Sequence, residues 1–341
     1  MKFINELREG EKISGIYLCK HKQPAVTKNG KPYENVILQD KTGTIDAKIW
    51  EPNSQGIDDF DTLDYIDVIG DVTSFQGSLQ VSIKRARKAH EGEYEPGNYL
   101  PISEKNIDGM YEELLKYVHS IKNAYLNKLL VKFFEEDEEF IKTFKGNSAA
   151  KTVHHGFIGG LLEHTLGVVR LCQYYSKAYP VLNRDLLITA AMLHDIGKIG
   201  IPDRILNKPE RLTDEEYKEM KSHVVKGGEI LKSFTLIDNI EEGALYHHER
   251  YDGKGYVHGL KGEEIPLNAR IIGIADAFDA MTANRVYRKK LDMDFVLGEL
   301  KKGRGTQFDP QLTDIMLHLI ETGQIDMQRL YDNANVKEEE E

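Results

Sequence analysis

A change of hydrophobic period near residue 90 constrains this chain more than any other feature. Between residues 12 and 90 apolar side chains alternate with polar ones. Ile45, Ala47 and Ile49 are interleaved with Asp46, Lys48 and Trp50, and Leu79, Val81 and Ile83 with Gln80, Ser82 and Lys84. Period two is the signature of strands with one buried and one solvated face. From about Ile102 the spacing becomes helical. Met110, Leu114, Leu115 and Val118 recur at three- and four-residue intervals, as do Leu126, Leu129, Leu130 and Phe133. The sequence therefore predicts an α+β chain of two domains.

Turn signals at Asn29-Gly30, Lys41-Thr42-Gly43 and Gln76-Gly77 divide the first region into five strands, at about 12–23, 33–40, 45–50, 65–75 and 78–88. A short helical piece is expected near Ile57–Leu63, between the third and fourth strands. Five strands with a helix in that slot suggest an OB-fold barrel over residues 1–90. Residues 91–101, with two prolines and two glycines, read as a linker. An all-α domain is expected over 102–335, followed by an acidic tail at 336–341.

The chain has 45 Lys and Arg against 56 Asp and Glu, a net charge of −11, which disfavours a protein built to coat duplex nucleic acid. The barrel region is neutral, and the excess acid lies beyond it. Tyr17, Tyr33, Trp50 and Phe75 could offer faces to bases, with Lys84, Arg85, Arg87 and Lys88 beside a backbone. Core aromatics and a solvated strand end are the plainer reading. No run of about 18 apolar residues predicts a membrane helix. Two distant cysteines, Cys19 and Cys172, and an N-terminus without an apolar signal core fit a cytoplasmic protein.

The helical region carries an unusual set of polar residues. His194-Asp195 ends the apolar stretch Asp185–Leu193, and His164 lies within Leu161–Val169. His223 follows a capping box, Thr213 to Glu216. The doublet His247-His248 follows a helix expected through Ile237–Tyr246, and Asp276 ends Ala269–Ala275. One such histidine is ordinarily a hydrogen-bonded core residue. Seven nitrogen or oxygen donors on five successive apolar helices, with no cysteine among them, instead suit two divalent metal ions, with Asp195 able to bridge them. Lys198, one turn after His194, could hold a phosphate oxygen or simply cap the helix.

From His194-Asp195-Ile196-Gly197-Lys198 through His247-His248-Glu249-Arg250-Tyr251-Asp252-Gly253-Lys254-Gly255-Tyr256, Ala275-Asp276-Ala277-Phe278-Asp279 and Gly305-Thr306-Gln307-Phe308-Asp309-Pro310, residues 186–316 resemble the HD-GYP branch of the HD phosphohydrolase superfamily, the cyclic di-GMP phosphodiesterases. Val257 replaces the signature proline, and Val224 stands where that branch usually has proline. Residues 1–198, including Ala149 to Thr165 with His154 and His155, are similar to YhaM-type 3′-to-5′ exoribonucleases, which join an OB-fold to an HD domain. His154 and His155 read as supporting residues or loop caps rather than ligands.

The resemblance implies a metal-dependent phosphodiesterase with two Mn²⁺ or Fe²⁺ ions on His164, His194, Asp195, His223, His247, His248 and Asp276, with an activated hydroxide attacking phosphorus. Gly160, where some members carry a glutamate, implies two ions rather than three. Catalysis falls to His194, Asp195 and Lys198, and substrate contacts to Lys198, Gly255, Tyr256, Arg285 and Arg288. The two halves imply different substrates: cyclic di-GMP or its linear dinucleotide on one side, single-stranded RNA fed by the barrel on the other. A catalytically inactive nucleotide sensor is a third reading, which a missing ligand would favour.

Overall fold

The computed structural model describes residues 2–27, 29–90, 92–99, 103, 105–149, 157–206, 208, 212–282 and 293–327. The chain forms two compact units, 1–102 and 103–341.

The first unit is a closed five-stranded barrel: β1 (Lys12–Val26), β2 (Pro32–Asp40), β3 (Gly43–Ile49), β4 (Tyr65–Phe75) and β5 (Ser78–Lys88), in the order β1-β2-β3-β5-β4. β1 closes the barrel against β4 (Ile13 opposite Gly70), and β3 runs parallel to β5 (Ala47 opposite Val81). The period-two pattern sends Val36, Leu38, Ile45, Ala47, Ile49, Ile66, Val68, Val81 and Ile83 into one core. A bulge between Ile69 and Gly70 shifts the β4–β5 register, so Ala86 rather than Arg85 faces inward.

The helix expected near Ile57–Leu63 is not formed. Its backbone pairs with the barrel instead: Asp58 N–H donates to Ala86 O and Leu63 N–H to Cys19 O, while Phe60 is buried in the core. Leu63 also adopts a positive φ of 71°, which ends any helix there. Residues 92–99, expected as linker, pack on the barrel. The Tyr94 ring stacks on Tyr65 at 3.8 Å, and Lys41 N–H donates to Asn98 O.

The second unit is helical: α1 (Ile107–Ser120), α2 (Ala124–Val131), α3 (Glu138–Gly146), α4 (Gly160–Ala178), α5 (Arg184–Leu193), α6 (Asp203–Leu206), α7 (Asp214–Lys232), α8 (Glu242–Tyr246), α9 (Leu267–Thr282), α10 (Met293–Gly303) and α11 (Pro310–Glu321). Asn106, Asn123, Asp137, Asn183 and Asp309 each cap the helix that follows by accepting from its free amides. The Thr213–Glu216 capping box opens α7. α4 is buried around most of its circumference, as befits a central helix, and packs against α5 and α9.

Two helices differ from expectation. α8 has only five residues, because Asn239 adopts a left-handed φ of 62° and breaks the run from Ile237. α9 does not end at Asp276 but continues to Thr282, carrying Asp279 one turn further on. Among the described residues no helix is long and apolar enough to cross a membrane.

Candidate metal centre

The core delivers seven polar side chains to one place. His164 projects from α4. α5 stops at Leu193, so that His194 and Asp195 lie at its C-terminal end, followed by a 3-10 turn, Ile196–Gly200. His223 comes from the middle of α7, His247 and His248 from the end of α8, and Asp276 from α9. All but His248 and Asp276 are buried.

Asp195 is the centre. Its Oδ2 lies 3.4 Å from His164 Nε2 and 3.3 Å from His194 Nε2. Its Oδ1 lies 3.5 Å from His223 Nε2 and 3.7 Å from His247 Nε2. Asp276 Oδ1 is 3.1 Å from His164 Nε2, and its Oδ2 is 3.9 Å from His248 Nδ1. Donor atoms converge within 4.8 Å in three overlapping triads: His164, His194 and Asp276; His194, Asp195 and His247; His223, His247 and His248.

Hydrogen bonding at the far nitrogens fixes which lone pairs face inward. The Nδ1 atoms of His194, His223 and His247 lie 2.7–3.0 Å from the carbonyls of Ala191, of Met220, and of Gly243 and Ala244. A carbonyl only accepts, so each Nδ1 carries the proton and each Nε2 lone pair points to the centre. Burial pushes His223 down to about 3 and lowers His247 and His248, so all three are neutral near pH 7. Burial alone would raise Asp195. Lys198, His194 and His164 outweigh it and hold the carboxyl well below the usual range. Burial likewise opposes charge on His164, but Asp195, Asp276 and Asp279 outweigh it and lift the imidazole well above its ordinary value.

The donor set fits a metal ion on a further observation. Asp195 Oδ1, His223 Nε2 and His247 Nε2 are buried without a hydrogen-bond partner. Each orphan costs about 1–3 kcal/mol. Three orphans converging on one point, all acceptors, call for a cation rather than a rearranged network.

Lys198 lies in the 3-10 turn that follows α5. Its ammonium is buried 2.5 Å from Asp195 Oδ2. Gly255 and Tyr256 line a cavity of about 380 Å³ that also reaches His247, His248 and Asp276. A Cβ on Gly255 would lie 2.4 Å from Arg250 N and 2.5 Å from Glu249 Cα, so only glycine lets this loop close on the histidine doublet. Arg285, Arg288, His154 and His155 lie outside the described residues. In the barrel, Tyr17 is core, Phe75 is exposed at the β4–β5 turn, and only Tyr33 and Trp50 come together, stacked at 5.2 Å. Acids across the sheet pair much of the basic cluster: Lys84 with Asp71, Arg87 with Asp67 and Glu93, Lys88 with Asp64.

Sequence reasoning missed two residues. Asp279 Oδ2 accepts from His164 Nδ1 at 2.7 Å and is buried. Its signal was its place one helical turn after Asp276. Glu249 Oε1 accepts from His258 and Gly259 N–H at 2.7 and 3.0 Å, fastening the glycine-rich loop. Carboxylates that orient a ligating imidazole also raise its basicity. Asp279→Asn is therefore expected to weaken manganese binding about 10- to 100-fold, measured by calorimetric titration of metal-free protein. Unchanged affinity would make Asp279 merely a packing residue.

Comparison with known proteins follows this geometry. A family model for the HD domain matches residues 151–312. The matched stretch lies within the helical unit. The chain is 50% identical over 216 residues to the cyclic di-GMP phosphodiesterase response regulator RpfG of Xanthomonas campestris, covering 60% of this chain and 55% of that protein. It is 32% identical over 199 residues to the 3′-5′ exoribonuclease YhaM of a Geobacillus species, covering 58% and 60%. It is 42% identical over 141 residues to a probable cyclic di-GMP phosphodiesterase of Vibrio cholerae, covering 39% and 32%. The chain thus spans about a third to three-fifths of the length of these relatives.

Proposed function

We propose that the chain is a cytoplasmic, divalent-metal-dependent phosphodiesterase acting on a 3′–5′ phosphodiester bond of cyclic di-GMP or its linear dinucleotide. The observation that carries this is the convergence of orphaned acceptors on Asp195, whose two oxygens face different histidine groups. On this reading His164, His194 and Asp276 would hold one Mn²⁺ or Fe²⁺ and His223, His247 and His248 a second, with Asp195 offering an oxygen to each group. Bound there, the ions supply a water acidified toward hydroxide and a positive field for the charge developing on phosphorus. The neutral imidazoles of His223, His247 and His248 provide lone pairs without competing protons. The buried ammonium of Lys198 stands beside Asp195, where a non-bridging phosphate oxygen gains a charge-assisted hydrogen bond. Gly255 and Tyr256 shape the adjoining cavity, and Arg285 and Arg288 take the phosphates or guanine, as in the family this region resembles.

A second reading rests on the barrel. Similarity to an exoribonuclease extends over 58% of the chain, and the β2–β3 surface presents the Tyr33–Trp50 stack. Residues 1–90 would then bind single-stranded RNA and feed its 3′ end to the HD domain at 102–335. The complete ligand set weighs against an inactive sensor.

The test offers cyclic di-GMP and a single-stranded RNA oligomer to the same manganese-loaded preparation. Conversion of cyclic di-GMP to pGpG or GMP with intact RNA is the expected result. Stepwise shortening of the RNA from its 3′ end, lost on deleting residues 1–95, would replace it with the second reading. Turnover of neither would overturn both.

A further inference from the structure

The cavity beside the metal centre has a wall that the metal ligands do not explain. Tyr217 lines it from α7 and remains 50% exposed, packed into no core cluster. One turn later on the same helix, Lys221 places its ammonium 4.8 Å from the Tyr217 ring centroid and 5.5 Å from that of Tyr256. Among the described residues no carboxylate pairs with Lys221. Tyr256 in turn lies against the His248 imidazole, 4.9 Å between centroids at 30°. A cation with no carboxylate partner among the described residues therefore lies beside two rings that line the cavity, two residues before His223. Six residues of helix, a rise of about 9 Å, carry the surface from the Tyr217 ring to that ligand.

An exposed ammonium over an aromatic face gains about 0.5–1 kcal/mol, as much as an exposed ion pair offers on a helix surface. Exposed aromatic faces flanked by cations are the elements that hold single nucleotides: the ring stacks a base, and the cation meets the phosphate beside it.

We propose that Tyr217 and Lys221 form a nucleotide subsite next to the metal centre, with Tyr217 stacking a base adjacent to the scissile phosphodiester and Lys221 holding the neighbouring phosphate. Tyr256 backs Lys221. The subsite rests on the phosphodiesterase reading for its place in a reaction. It serves a cyclic dinucleotide and an RNA 3′ end alike, because both present a base beside the bond to be cut.

The test is equilibrium binding of GMP and of ribose 5-phosphate, which lacks the base, to the full manganese-loaded chain. Tyr217→Leu is expected to weaken GMP about 5- to 150-fold, the loss of one base stack, and to leave ribose 5-phosphate unchanged. Tyr217→Phe should restore GMP binding, and Lys221→Met should weaken both probes. Metal content and melting temperature, measured on each variant, report whether it is folded. GMP bound equally by the parent and Tyr217→Leu, or not bound by the parent, would overturn the subsite. Absence of turnover with phosphodiester substrates, alongside intact discrimination between the two probes, would overturn the phosphodiesterase reading instead.

Discussion

Replacing Asp195 by Ala is expected to reduce phosphodiester hydrolysis by at least about 10³-fold, because stabilisation of several kcal/mol by bound ions disappears with their shared ligand. The variant should also bind markedly less manganese, since both histidine groups lose the carboxylate between them. Asp195 is the residue on which the cluster is centred: Oδ2 serves the His164–His194 side and Oδ1 the His223–His247 side. Removal also strands Lys198, a buried ammonium whose partner is Asp195 Oδ2, and an unpaired buried charge is costly. Asp195→Ala therefore tests structure and chemistry together. Asp195→Asn separates them, because it keeps the volume but not the charge. Metal content by atomic absorption and initial rates on cyclic di-GMP and RNA, read on both variants, give the answer. Full turnover in either variant would remove Asp195 from the reaction.

The elements that carry this centre were legible because each combines a periodic pattern with a polar residue that the pattern should exclude. His194 and Asp195 follow a helix whose last seven residues are buried, and His164 lies on the face of α4 that packs against α5 and α9. The barrel strands were legible for the complementary reason: Ile45, Ala47 and Ile49 can share an interior only in an extended backbone.

What was not legible depends on partners distant in sequence. Residues 57–63 have spacing compatible with a helical turn, but Ala86 and Cys19 take their backbone hydrogen bonds. Asp279 looks like any acid on a helix until α4 brings His164 to it across 115 residues. The basic run at Lys84–Lys88 looks like a patch for a nucleic-acid backbone, yet Asp71 and Asp67 on β4, and Asp64 just before it, pair with Lys84, Arg87 and Lys88. Composition gave one hint, because a region with balanced charge has acids available for such pairs. Lys198 stands in the 3-10 turn into which the chain tightens after α5.

That turn carries the second large effect. Gly197 lies where the 3-10 segment crosses α7, and a Cβ there would sit 1.9 Å from the carbonyl oxygen of His223 and 2.6 Å from Gly227 N. Both are backbone atoms of a helix, so no rotamer change relieves the contact. The two segments must separate, and the one that moves carries His223 on one side or Asp195 on the other. Gly197→Ala is thus expected to cost about 1–3 kcal/mol from overpacking and to draw the two ligands apart, lowering both melting temperature and manganese stoichiometry. Gly200, three residues on, is the internal control. A Cβ there meets only the flexible Lys226 side chain, nearest at 3.3 Å, so Gly200→Ala should retain the parent's metal content. The contrast matters more than either value. Loss in both variants would mean that the turn tolerates no side chain for reasons of its own backbone. Loss in Gly197→Ala alone would mean that the spacing between the turn and α7 sets the distance between ligands. Retention in both would show that α7 can shift without disturbing His223, and that close packing here is not what builds the centre.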